Sequence, residues 1–304
     1  MTTVEIVSLQ KADPSGESAP AAAAPPPEPR EDVRGVPRRL WRYLYRAPGL
    51  ALSWLVVVTV VAWAFVPSVF TSTSPYDGDV DASFAPPSLE HPFGADRLGR
   101  DLFARVVHGT ATTLSATLLA VLVGLIVGSL IGLLSGFVGG RIDAAVMRCV
   151  DVLLAIPGLL LAMTVVTALG YGTLEVAFAV GITAIAAFAR VMRSEVLKVA
   201  RSEYVEAAYG SGAGFVRVVF RHVLPNSRAA VFSLAALECG SAILAVAALG
   251  FLGYGAPPPR PEWGLAVSEG RDYLATYPWI ALFPGIVIAA VVLSTNRISK
   301  SSGV

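Results

Sequence analysis

Six long apolar runs divide this chain, and they constrain its fold more than any motif does. They cover roughly residues 50–70, 114–137, 153–169, 174–188, 229–252 and 279–293. A helix needs about 20 mostly apolar residues to cross the hydrocarbon core of a bilayer. Hydrophobic residues make up 55% of the 304, and charged residues only 15%. A soluble domain of this length carries more polar surface than that. The third, fourth and sixth runs are each short enough to suit a buried core helix, but their number and spacing favour spans. The expectation is an all-α, polytopic membrane protein with six transmembrane helices.

The basic residues orient the spans. Of the 23 lysines and arginines, all but Arg97, Arg100, Arg105, Arg260 and Arg271 fall on one side if the N-terminus is inside. Cytoplasmic flanks carry that excess, so a multi-pass protein with a cytoplasmic N-terminus is expected. The net charge of +1 averages over opposed surfaces and says little. Cys149 and Cys239 fall at or within spans on different helices and read as two ordinary buried thiols rather than a disulfide framework.

Three segments follow from the composition. Residues 1–40, centred on AAAAPPPEPRE, lack periodicity and apolar content and read as a disordered cytoplasmic extension. Residues 41–110 hold the first span and an outer loop, and residues 111–304 the core. Arg38, Arg39, Arg42 and Arg46, interleaved with Trp41, Tyr43 and Tyr45, suit contact with anionic membrane lipid, or serve only to set topology. The loop ends in HPFGADRLGRDLFARVVHG, where Gly94 and Gly99 suit tight turns and Arg100 and Asp101 can pair or cap a helix. His91, Asp96, Asp101 and His108 match no familiar ligand spacing, so no metal site is read there.

Inside the spans a few residues stand out. Gly124, Gly128, Gly132 and Gly136 recur every four positions. At about 100° per residue they stay on one helix face, and a groove for close helix packing is favoured over a hinge or a pore-facing stripe. Pro157 should kink the third span, with Asp151 near its inner mouth. Glu238 lies in the fifth span, where a carboxylate implies a partner or a water-filled path. It either lines a translocation route or joins helices.

The stretch YVEAAYGSGAGFVRVVFRHVLPN (204–226) is a charged, helix-prone hairpin between two apolar runs. Glu206, Ala207 and Ala208, then Gly212, then Leu224 and Pro225, resemble the EAA loop of permease subunits in binding-protein-dependent, ATP-driven importers. Further blocks at 91–109, 188–208, 251–264 and 278–288 resemble, in the right order, one subunit of the dipeptide, oligopeptide and nickel permeases. The resemblance covers about residues 40–295. It implies a type I ABC importer permease fold in the bacterial inner membrane. It also implies a second permease subunit as heterodimer partner, two ATPase subunits and an external substrate-binding protein. ATP and magnesium would be used by the ATPases, with no cofactor bound by this chain. Glu206 to Ala208, Gly212, Leu224 and Pro225 would form the ATPase-coupling element. Short peptides are the favoured cargo, with nickel chelates, glutathione and haem left open.

Departures are local. His222 stands where the general EAA pattern has isoleucine, although Arg221–Asn226 fit the peptide subgroup. Val246 replaces a glutamate usual in the subfamily, and residues 296–304 replace its Gly-Asp-Gly-Leu-Arg-Asp run. No phosphate-binding G-x-x-x-x-G-K-[ST] loop and no hydrolase-like residue set occurs, so the chain reads as a non-catalytic subunit with no role in nucleic-acid binding. The competing class is an ion-coupled secondary transporter using Glu238 and Asp151, but no convincing internal repeat supports it. A non-transporting membrane scaffold is a second competitor.

Overall fold

The computed structural model describes residues 48–302. The extension expected over residues 1–40 and the basic, aromatic stretch 38–46 lie outside the described residues. Within them the chain is helical, with only isolated bridges, Gly78 to Arg100 and Ala95 to Asp101, in place of strands. The helices are α1 (Pro48–Phe65), α2 (Leu102–Val138), α3 (Gly140–Ala155), α4 (Gly158–Leu169) and α5 (Thr173–Ala200). They continue as α6 (Glu203–Gly210), α7 (Val216–Phe251), α8 (Trp263–Gly270) and α9 (Trp279–Ser302).

Among the described residues 5 helices, namely α1, α2, α5, α7 and α9, are long and apolar enough to cross a membrane by length and composition, and counting α3 with α4 as one bent span makes 6. That pair corrects the expectation of a kinked third span. Pro157 does not bend a continuous helix: α3 ends at Ala155, and the chain turns by 97° before α4 begins. Ile156 and Pro157 are both extended, with ψ of 131° and 122°. The cause is local, because a proline ring disfavours helical backbone in the residue before it.

The other difference is length. The run read from residue 114 belongs to a helix that starts at Leu102, 37 residues long. At 1.5 Å per residue that is about 55 Å, well beyond a hydrocarbon core of about 30 Å. Its first turns are wrapped by protein: Ala104, Val106 and Val107 are fully buried. Asp101 caps this end, its Oδ1 accepting from the Ala104 amide at 2.6 Å.

The core is built of small side chains. One cluster joins Ala116 and Ala120 of α2, Ala162 and Val166 of α4, Val176, Val180 and Phe188 of α5, and Ala242 and Val246 of α7. A second joins Val60, Val106, Ile243, Trp263 and Ile288. Phe188 and Trp263 are large exceptions, and many other large apolar side chains point outward, as at Leu55, Leu118, Leu134, Leu244 and Leu293. In lipid that distribution costs nothing, and helix association comes from close packing of small residues.

The four glycines sit at the tightest of these contacts. A Cβ on Gly128 would lie 2.5 Å from the Ile185 carbonyl oxygen, and one on Gly132 would lie 2.3 Å from that of Ala189. Gly124 faces Ala184 and Phe188, and Gly136 faces Val196. All four therefore lie along α5, where a larger residue would separate the two helices.

Candidate functional site

The hairpin 204–226 consists of α6, a turn, and the start of α7. Val205 faces inward and is buried, while Glu206 and Ala207 are exposed and Ala208 is half-buried. After α6 the chain reverses at Gly212, whose φ of +81° is the left-handed conformation that glycine adopts without a Cβ penalty. The Ala213 amide closes the turn on the Ala208 carbonyl at 3.0 Å. On the return arm Val218, Val219 and Val223 are buried. Leu224 and Pro225 are exposed, as is Glu206, so the motif residues present a surface rather than a core. Pro225 lacks the amide that would bond four residues back. The wide helical turn at Val219–Val223 precedes it, and the Asn226 side chain donates to the His222 carbonyl at 2.6 Å. The rings of Tyr204 and His222, 6.1 Å apart, link the two arms.

Glu238 is half-buried and lines a groove of about 410 Å³ between α2, α4, α5 and α7. Most of the wall is small: Ala120, Gly158, Ala162, Ala184 and Ala245. Thr183 and Ser241 add hydroxyls, and Glu238 is the single ionisable side chain among the lining residues. Pro157 lies beside this groove, one residue before Gly158. Asp151 is not brought there. It is exposed and pairs with Arg190 of α5. The sequence-predicted path residues therefore separate: Glu238 and the Pro157 joint flank the groove, and Asp151 belongs to a contact between α3 and α5.

Sequence reading missed two polar centres near the starts of α2 and α8. The first fixes the loop that precedes α2. Arg105, 1% exposed, donates to Glu269 Oε2 at 2.9 Å, and to the Pro75 and Pro259 carbonyls at 3.3 and 3.4 Å. Arg100 donates to Asp96 Oδ2 at 2.7 Å and reaches both Glu269 oxygens at 3.3 Å. His91 Nδ1 lies 2.8 Å from Asp101 Oδ2, and His108 Nδ1 lies 2.9 Å from the Ala104 carbonyl. The His and Asp side chains weighed as metal ligands thus serve ion pairs, caps and backbone contacts. The second centre is Glu262, 3% exposed and lying between spans. It caps α8 by accepting from the Gly264 and Leu265 amides at 3.1 and 3.3 Å. Burial pushes its pKa up to about 7 despite those two amides, which act in the opposite sense. An acidic residue just ahead of a short apolar helix was the available signal for this cap. No local signal pairs Arg105 with a carboxylate 164 residues away.

The cysteines are unpaired as expected but less buried than expected. Cys149 is exposed on α3 and Cys239 half-buried on α7, and both are free.

This helical arrangement has the fold of an ABC importer permease. It matches the inward-facing methionine transporter MetNI with a TM-score of 0.52 at 18% identity, covering 65% of this chain and 96% of that one. Residues 128–301 match the family described as the binding-protein-dependent transport system inner membrane component. Over 279 residues the chain is 36% identical to the dipeptide transport system permease protein DppC of Alkalihalophilus pseudofirmus, covering 92% of each. It is 39% identical over 276 residues to the glutathione transport system permease protein GsiD of Salmonella typhimurium, covering 88% of each. The chain belongs to the family of inner membrane components of binding-protein-dependent transport systems. It is accordingly a multi-pass, non-catalytic membrane subunit of a larger transporter, and an ion-gradient carrier is not favoured.

Proposed function

We propose that this chain is one permease subunit of an ATP-driven importer of di- and oligopeptides. It pairs with a second permease, receives cargo from an external binding protein, and is driven by two ATPase subunits that use ATP and magnesium. The N-terminus and hairpin 204–226 face the cytoplasm. The observation that carries the reading is the relationship to a dipeptide permease across 92% of both chains. The exposed hairpin supports it, because its motif residues are free to meet another protein.

In this reading α6 docks in a groove of an ATPase subunit. The small side chains of Ala207 and Ala208 allow close approach, and Glu206 pairs with a basic group there. Gly212 makes the turn, and Leu224 and Pro225 return the chain to α7. Closure of the ATPases on ATP displaces the hairpin, and the spans alternate between inward- and outward-open arrangements. Glu238 faces the passing cargo in its groove, and Gly124, Gly128, Gly132 and Gly136 hold α2 against α5 while this happens.

Purification of the assembled transporter tests the docking. The ATPases should co-purify with the native chain and be lost with Glu206→Arg. Deleting the chain from its host should abolish uptake of labelled di- and oligopeptides. Retained ATPase binding by the variant, or unaltered peptide uptake in the deletion strain, would overturn the reading.

A further inference from the structure

Helix α3 is tied to the chain by two joints and to its neighbours by two ion pairs. At its start Gly139 and Gly140 both have left-handed φ, +66° and +59°. Nothing lies within 4 Å of where a Cβ would stand on either. At its end the chain turns by 97° at Ile156 and Pro157 into α4. Between these joints α3 buries only Asp143 and Val150. Val150 packs with Ala186 and Ala189 of α5. Met147 and Leu153 of α3 add partly buried apolar contact to this small patch, and the charged contacts fix how the helix is oriented on it.

Those contacts are specific. The Arg193 guanidinium donates two hydrogen bonds to Asp143, Nε to Oδ1 at 2.6 Å and Nη2 to Oδ2. The Ser135 hydroxyl of α2 donates to the same carboxylate. A fork-to-carboxylate pair fixes orientation as well as distance. Farther along α3, Asp151 pairs with Arg190. That second pair is more than half exposed, so water weakens it and it only steadies the far end. Arg190 and Arg193 stand three apart, on one face of α5. Gly132 lets α2 approach the backbone of α5 at Ala189 and Arg193, so three helices meet at the Asp143 carboxylate.

The placement of this junction gives it a consequence. Helix α5 ends at Ala200, and α6 of the hairpin begins at Glu203. Beyond the proline joint, α4 supplies Gly158, Leu159 and Ala162 to the groove that holds Glu238. We infer that Asp143 and Arg193 are positioning residues of transport: their pair locks α3 to α5 as a rigid arm. Displacement of the hairpin thereby reaches the groove wall through the joint at Ile156 and Pro157. The inference rests on the proposed role of the hairpin. Helix α4 also packs on α5 through Ala162 and Val166, and the arm sets the position of its inner end. Without the pair, α3 swivels on its two glycines and the displacement is lost there. The pair stays closed through the cycle.

The test uses the complete transporter in proteoliposomes, reading labelled peptide moved per ATP hydrolysed. Asp143→Asn and Arg193→Gln should each lower that ratio about tenfold in assembled complexes. Arg193→Lys keeps the charge but loses the fork, and should lower it about threefold. The exchange Asp143→Arg with Arg193→Asp should return it to within about twofold of the native value. An unchanged ratio in the single variants, or an exchange no better than them, would overturn the inference. A second readout needs no peptide: the distance between spin labels at Ala145→Cys and Ser194→Cys, with Cys149 and Cys239 replaced by serine. It should be single and narrow with and without an ATP analogue, and should broaden with Asp143→Asn. A distance that changes with the nucleotide in the otherwise native chain would overturn the rigid arm. Narrow distances in a native complex that moves no peptide would count against the proposed function and not against the arm.

Discussion

Gly250 and Glu262 meet so closely that a methyl group on the glycine would stand 2.2 Å from the Oε2 of the carboxyl. Gly255 leaves similar room, with 2.7 Å to the same oxygen. The glycines at the end of α7 thus form a cradle for the carboxyl that caps α8. Gly250→Ala should destabilise the protein by about 1–3 kcal/mol, the usual cost of overpacking. A lowered melting temperature in detergent would show it.

The buried carboxyl also makes stability depend on pH. Its folded pKa of about 7 lies above the ordinary value of 4.5. Between those values the folded state holds a proton that the unfolded state has lost. Stability from this group is therefore complete below about pH 4.5, falls as pH rises toward 7, and is level above that. The loss across the window is on the order of 3 kcal/mol. Glu262→Gln keeps an acceptor for the α8 amides and should flatten this slope. Melting curves at pH 5 and pH 8 for both proteins make the comparison.

Close and open glycines should separate packing from transport. Gly132→Ala would press on the Ala189 carbonyl and should cost about 1–3 kcal/mol. Gly158 has nothing within 4 Å of its Cβ position, and Gly158→Ala should leave stability within about 0.5 kcal/mol of native. Gly158 lines the groove, so Gly158→Leu should instead reduce uptake of longer peptides more than that of dipeptides. Thermal melts and uptake of a peptide length series distinguish the two effects.

Arg105 should be the costliest cation to remove. Arg105→Met leaves Glu269 with one guanidinium fewer in a buried site, and should cost about 3 kcal/mol or more. Arg271, more than half exposed beside Asp272, should tolerate Arg271→Ala within about 0.5 kcal/mol. Urea or thermal unfolding in detergent checks the contrast.

Much of this molecule was legible in its residues, and the exceptions have physical causes. Apolar runs locate the spans because lipid selects for them. They miss the first turns of α2, where Arg105 and Thr110 read as polar loop and are in fact buried by protein. The spacing of Gly124, Gly128, Gly132 and Gly136 marked a helix face, and the helix it meets is α5. Pro157 signalled a disturbance, but its size depended on Ile156 adopting extended backbone. The EAA residues were readable because the motif is short, contiguous and mostly exposed, so it needs no distant partner to be recognised. The Asp143–Arg193 and Arg105–Glu269 pairs were not, since they join residues 50 and 164 positions apart.

ATP-driven uptake of labelled dipeptide is the most direct test of the central claim. Proteoliposomes would contain this chain, its partner permease and the ATPase pair, with binding protein outside and ATP on the ATPase side. The account predicts uptake that requires both ATP and binding protein, and that falls at least tenfold with Glu206→Ala while the complex stays assembled. Uptake that persists without ATP, or is indifferent to Glu206 in the assembled complex, would contradict it.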